Sequence, residues 1–285
     1  MPEGNVVHRH ARVLGERFGG RRLTVSSPQG RFAEGAALLD GRVLRGADAH
    51  GKHLLLDTGD DTGDDTGDDT GDGTGADAGA ERVLHVHLGL YGTWTLGEGE
   101  PPEPRGAVRA RLVAESGWAD LRGPNACTVL TAAEVAQLHA RLGADPLRAD
   151  ADPDAAFAVV QRSRVAVGAL LMQQEVVAGL GAIYRAELLF RAGVDPYRPG
   201  RELGREAWDA LWADAVHLLG TDVRTGRIVT TRPAHRSDPR GAPSEEDRFY
   251  VYRRGGQPCR VCGTPVRHAQ MVARHLFWCP TCQPA

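Results

Sequence analysis

Long apolar runs are missing from this 285-residue chain: no stretch approaches the roughly 18 uninterrupted apolar residues that span a membrane. The N-terminus lacks the apolar core of an export signal, because His8, Arg9, His10 and Arg12 interrupt it. Cysteine is scarce. There are five, an odd number, which argues against a disulfide framework in a chain with no sign of export. These absences exclude the integral-membrane and small secreted classes and lead to the expectation of a soluble, cytoplasmic protein. What is present fits that expectation: 41% apolar residues supply real cores, and the length suits two domains or one domain with a small appendage.

The net charge of −3 is an average over unlike parts. Eight Asp and no basic residue lie between Asp60 and Asp77, so the remainder carries −3 + 8 = +5. From Glu246 onward, six Arg face only Glu246 and Asp247, a local +4. A basic end on a chain masked by one acidic insert is the footprint of a phosphate-binding surface, although a solvated basic face reads the same way.

Residues 6–18 place Val7, Ala11, Leu14 and Phe18 on one face of an amphipathic helix, ended by Gly19-Gly20. Segments 21–27, 42–46, 52–57, 83–96 and 107–114 read as strands, so the first ~120 residues predict one helix followed by a β-sandwich. The repeat TGDDTGDDTGDDTGDGTGADAG interrupts them and predicts a disordered hairpin insert over 58–80. Its period of four does not match the nine-residue period of known calcium-binding Gly-Asp repeats. Around Thr131 the periodicity becomes helical. Thr131 and Glu134 form a capping-box pattern, and helices are expected near 154–162, 165–178 and 183–193 and around Trp208 to Leu219. Residues 224–254 return to strand-and-loop character.

Cys259-x2-Cys262 and Cys279-x2-Cys282, with 16 residues between the pairs, have the spacing of a tetrahedral zinc site. Four thiolates leave no open position, so one structural zinc is expected. Cys127 stands apart as a packed or idle thiol. Val177-Ala-Gly-Leu-Gly181 joins two helices. Amides opening the second helix would point outward as a phosphate clamp at the positive end of its dipole, or the turn is a plain helical corner. At the start, Pro2 and Glu3 follow Met1 directly. Removal of Met1 would make Pro2 a secondary amine beside a carboxylate, but these residues alone do not separate that reading from chance.

These pieces occur in one order: Pro-Glu-Gly at the N-terminus, GKHLLL, HLGLYGTW, a GLG helical turn and a four-Cys ribbon. In this order the chain resembles the formamidopyrimidine-DNA glycosylase / endonuclease VIII family, and is closer to the actinobacterial endonuclease VIII branch. The resemblance implies an α+β multidomain protein. It would comprise an N-terminal β-sandwich with an N-terminal helix (1–120), a helical helix-two-turn-helix domain (130–222) and a C-terminal β-hairpin zinc finger (246–285). It implies a bifunctional DNA glycosylase and abasic-site lyase of base-excision repair. Pro2 would be the nucleophile, Glu3 a proton carrier on the sugar and Lys52 a phosphate contact that assists later proton transfers. Leu90 and Tyr91 would fill and wedge the helix, Gly179 and Gly181 would line the DNA-binding turn, and Arg274 would grip phosphates. Arg122 keeps the arginine of a wedge whose following Phe is absent, since Gly123-Pro124 follow. The implied partner is damaged double-stranded DNA, bound by a monomer associated with the nucleoid.

Two departures qualify the resemblance. Ala182 stands where the family usually has an asparagine, and Val6 where many members carry a second glutamate. They keep a rival reading open, a lesion-binding protein of weakened chemistry. A second rival, a zinc-ribbon adaptor, leaves Pro2-Glu3 unexplained. Gly89 stands where the endonuclease VIII wedge has a glutamine, and the Arg-Phe wedge of the formamidopyrimidine branch is absent; these differences favour oxidised pyrimidines over 8-oxoguanine.

Overall fold

The computed structural model describes residues 2–60 and 81–285. The insert expected over 58–80 therefore lies outside the described residues, except at its start, where Thr58 and Gly59 belong to a strand. The chain forms two compact units. One comprises Pro2 and Val7–Ala140, the other Glu3–Val6 and Arg141–Ala285.

The first unit is built on helix α1 (Gly4–Phe18), whose apolar stripe Val7, Ala11, Leu14 and Phe18 is buried as the periodicity predicts. Two four-stranded antiparallel sheets follow. One runs β1 (Thr24–Ser26), β6 (Val108–Ala114), β7 (Gly117–Arg122), β5 (Thr93–Gly97). The other runs β2 (Val43–His50), β3 (His53–Gly59), β4 (Arg82–His87), β8 (Ala126–Leu130). The expected strand 83–96 is in fact two strands in different sheets. The break falls at Leu88-Gly-Leu-Tyr-Gly92, where Gly89 has φ +66° and the Gly92 amide bonds Leu88 O at 2.9 Å. A short helix α2 (Ala33–Leu39) carries no marked period and was not legible in the sequence. Helix α3 (Ala132–Ala140) has the Thr131–Glu134 capping box. It packs on β4 and β8, so it belongs to this unit and not to the helices after it.

One face of the second sheet is lined by histidine. His53 sits opposite His87 in the β3–β4 register, and its Nδ1 lies 2.9 Å from His85 Nε2. His50 Nδ1 lies 2.9 Å from Nδ1 of His139 on α3. Each contact requires one N–H donor and one neutral acceptor, so neither pair can be doubly protonated and remain bonded.

The second unit holds α4 (Pro153–Gln161), capped by Asp152, then α5 (Val167–Leu170), α6 (Ala182–Arg191) and α7 (Arg205–Thr225). The helix expected over 165–178 is cut to one turn. Gln174 redirects the chain by taking the Gly179 amide and donating to Leu180 O, both at 3.1 Å. Val167, Leu188, Trp208 and Leu219 form part of its apolar core. Residues 224–254 hold no strand. The amides of Tyr250, Val251 and Tyr252 donate instead to the buried Glu187 carboxylate at 2.8, 2.9 and 2.8 Å. The chain ends in a hairpin, β9 (Arg267–Met271) and β10 (Arg274–Trp278). No helix among the described residues is long and apolar enough to cross a membrane.

Burial pushes His85 down to about 4, helped by His87, and burial with Arg9 does the same for His10. Unfolded histidine binds a proton near pH 6.5. Between pH 6.5 and 4 the unfolded chain therefore takes up protons that the folded chain refuses. The stability these groups contribute is full above 6.5 and is lost as pH falls towards 4. Urea midpoints measured across this window should fall with pH, and His85→Gln should flatten the slope. Identical slopes would contradict the assignment.

Candidate active site and metal centre

Glu3 is fully buried. Its Oε2 accepts the amides of Gly181 at 3.0 Å and Tyr184 at 3.3 Å, and its Oε1 accepts the amide of Ile183 at 2.8 Å. The first amides of a helix have no partner within it, and Gly181 offers α6 no side-chain cap. A carboxylate from 178 residues away performs that task, at the positive end of the helix dipole. The Gly4 amide adds a bond to Gly179 O at 2.8 Å. This approach is possible only because side chains are absent. A Cβ at Gly181 would lie 2.4 Å from Glu3 Cδ, and one at Gly4 would lie 2.8 Å from Gly179 Cα.

The Gly179 and Gly181 amides therefore do not point outward as a phosphate clamp. Gln174 and Glu3 hold them inside the protein. The glycines serve to admit the N-terminal Glu3-Gly4 segment. Pro2 is the half-buried neighbour of this anchored pair.

Lys52 sits in the two-residue turn between β2 and β3, flanked by the paired His50 and His53. Its charge, after burial, helps lower His87. The turn at 88–92 exposes Leu90 (48%) and Tyr91 (85%), an unusual placement for large apolar groups. Arg122 is placed differently from expectation. Its Nη2 donates to buried Asp120 at 2.8 Å, Nη1 to Thr95 Oγ1 at 3.0 Å and Nε to Arg105 O at 3.1 Å. Arg111 holds the same Asp120 bidentately at 2.7 and 3.0 Å. Arg122 thus braces the β5–β7 sheet, with its donors directed into the protein.

Arg274 is exposed and follows a tight turn in which Val272 and Ala273 both have φ 53°. That turn favours Asn-Gly, and a β-branched residue there is strained by about 1–3 kcal/mol. A residue absent from the sequence-based assignments supports it. Buried Arg185 of α6 donates to Met271 O at 3.1 Å and His275 O at 2.8 Å, on both sides of the turn. Desolvation lowers Arg185 to about 10. Tyr184, which donates its hydroxyl to Asp222, and Glu187 were missed as well. Their signal is a Tyr-Arg and a Glu inside a helix whose residues 182–190 are all buried.

The sulfurs of Cys259, Cys262, Cys279 and Cys282 all lie within 4.8 Å of one another, with Cys262–Cys279 at 3.4 Å and Cys259–Cys282 at 3.8 Å. A tetrahedron of Zn–S bonds near 2.3 Å has edges of about 3.8 Å, so the four thiolates fit one zinc ion. Four thiolates complete its coordination, and the ion would hold the base of the β9–β10 hairpin.

Residues 1–125 match the formamidopyrimidine-DNA glycosylase N-terminal domain, 142–233 its H2TH domain, and 256–285 the zinc finger found in FPG and IleRS. Endonuclease 8 1 of Mycobacterium tuberculosis is 48% identical over 290 residues, covering 99% of this chain and 100% of the relative. Formamidopyrimidine-DNA glycosylase of Xanthomonas campestris pv. campestris is 35% identical over 204 residues, covering 70% and 73%. The crystal structure of MutM (Fpg) from Thermus thermophilus aligns with a TM-score of 0.74 at 28% identity, covering 99% and 98%. Lactococcus lactis Fpg in complex with N7-benzyl-Fapy-dG DNA, at 20% identity and full coverage of both chains, shares the fold with a TM-score of 0.76. The chain belongs to the formamidopyrimidine-DNA glycosylase / endonuclease VIII family of base-excision-repair DNA glycosylases.

Gly181→Ala should cost about 1–3 kcal/mol by overpacking against Glu3. Gly204→Ala, where a Cβ meets nothing within 4 Å, should stay within about 0.5 kcal/mol. Equal urea midpoints for the two variants would contradict the close-approach account. Atomic emission should give one zinc per chain, and Cys262→Ser should lose it.

Proposed function

We propose that this protein is a bifunctional enzyme that excises oxidised bases, pyrimidines foremost, from duplex DNA and then cleaves the abasic strand, acting as a monomer. The observation that carries the reading is the anchorage of Glu3, which holds an N-terminus in a fixed place where chain ends ordinarily fray. Removal of Met1 frees the Pro2 nitrogen. An α-amino group has a reference pKa of about 7.7–8.0, so a useful fraction is unprotonated near neutrality. Its lone pair attacks C1′, and the C1′–N bond breaks with its electron pair leaving on the base, which takes up a proton. The aminal formed at C1′ loses the Pro2 N–H proton, the C1′–O4′ bond breaks with O4′ taking up a proton, and the resulting iminium withdraws electrons from C2′. Loss of the C2′ proton expels the 3′ phosphate, and a second elimination expels the 5′ phosphate.

Glu3 orients Pro2 and exchanges protons with the sugar oxygen during ring opening. Lys52, at its hairpin tip, and Arg274, on its strained turn, meet phosphates. Leu90 and Tyr91 fill the space left by an extruded nucleotide. The internal bracing of Arg122 is consistent with the absence of an Arg-Phe wedge and with pyrimidine lesions. Lactococcus lactis Fpg has been captured with DNA containing an abasic site, which fits a shared chemistry. The rival, a lesion binder of weakened chemistry, draws on Ala182, which brings no polar side chain to the turn.

Borohydride reduces an iminium to a stable link. The chain holds one lysine, Lys52, so the only amines able to form an iminium are the N-terminus and that side chain. Trapping on an abasic oligonucleotide should yield a cross-link that maps to residue 2, persists in Lys52→Met and vanishes under an uncleaved N-terminal tag. A cross-link at Lys52 would overturn the Pro2 assignment. No cross-link, with salt-sensitive abasic-DNA binding retained, would favour the rival.

A further inference from the structure

The C-terminal part of α7 and the loop that follows enclose a cavity of about 480 Å³, inside the range of roughly 300–1,000 Å³ typical of small-molecule sites. Leu218, Val229 and Pro243 give it apolar walls, and Arg191, Arg227, Arg232 and Arg236 line it beside His217, Asp222 and several threonines. Two of these arginines have carboxylate partners. Arg191 pairs bidentately with Asp214, both bonds at 2.7 Å, and Arg227 Nη2 meets Glu245 at 2.8 Å. Arg236 donates only to the neutral hydroxyl and carbonyl of Thr231. Among the described residues no carboxylate pairs with Arg232 or Arg236, and the buried Nε–H of Arg227 has no acceptor. The carboxylate lining the cavity, Asp222, is pushed up to about 7 by burial, so it opposes an anion only weakly near neutrality.

We propose that this cavity binds a mononucleotide, with the phosphate on Arg227, Arg232 and Arg236 and the base against the apolar wall. Guanidinium forks match phosphate oxygens, and the apolar remainder of the cavity leaves a bare phosphate without contacts while suiting a planar ring. The same chemistry is offered by a free nucleotide and by one unit of a DNA strand. Asp222 accepts the Tyr184 hydroxyl, and the Tyr184 amide donates to Glu3, so the floor of the cavity is one side chain from the anchored N-terminus. The inference does not depend on Pro2 being the nucleophile.

Calorimetric titration with thymidine 5′-monophosphate should show binding of about 0.1–1 mM and weaker binding of inorganic phosphate. The exposed Arg232→Gln and the double variant Arg232→Gln/Arg236→Gln should weaken nucleotide binding by about 3-fold and at least about 10-fold, at unchanged melting temperature. Displacement of the nucleotide by a short single-stranded oligonucleotide would assign the site to a DNA strand, and no displacement would assign it to free nucleotide. No heat of binding up to several millimolar, or equal affinity in the double variant, would overturn the proposal. Amide resonances of Ile183 and Tyr184 should move during the titration, and stationary resonances would overturn the link to Glu3.

Discussion

The rest of the second unit depends on a carboxylate placed on the open end of a helix. Glu3 accepts three amides of the α6 N-terminus, and Gly4 bonds the turn before it. Charge-assisted hydrogen bonds of this kind contribute about 1.5–3 kcal/mol each. More important, removing the acceptor would leave three buried donors unsatisfied. The consequence is positional. The Glu3-Gly4 segment is tied to the helix it caps.

Helix α6 carries this order outward through side chains that its apolar neighbours bury. Tyr184 reaches Asp222 on α7, Arg185 grips both sides of the β9–β10 turn, and Glu187 gathers the amides of residues 250–252 and the Thr230 hydroxyl. Buried charges of this kind add little net stability, because desolvation offsets the attraction. They specify arrangement. The strained Val272-Ala273 turn and the exposed Arg274 beside it are held by the helix whose first amides hold Glu3. The Arg274 turn and the Glu3 cap therefore share one support, helix α6.

Much of this was legible in the sequence. The stripe of α1, the Thr131 capping box and the two Cys pairs follow from periodicity and spacing, which report local geometry. What was not legible depends on partners distant in sequence. The amides of Gly179 and Gly181 were available to an anion in principle, and no local rule says that the anion is Glu3. Arg122 looks like a surface arginine until Asp120 and Thr95 are brought beside it. The segment 165–178 has helical periodicity, yet the helix ends at Leu170 and the Gln174 side chain bonds Gly179 and Leu180 in the turn that follows. Residues 250–252 have strand propensity, but their amides are taken by Glu187. At Glu3 and at Glu187 a hydrogen bond from far along the chain overrides a local preference.

Amide hydrogen exchange reads the capping of α6 by Glu3 at the amides themselves. Helix-opening amides without an acceptor exchange quickly. Gly181, Ile183 and Tyr184 should exchange slowly in the native protein, at rates comparable to Leu188 and Leu189 in the core of the helix. In Glu3→Ala, which removes the acceptor, these three should exchange fast while the core amides keep their protection. Fast exchange at Gly181, Ile183 and Tyr184 in the native protein, or protection untouched by Glu3→Ala, would contradict the capping.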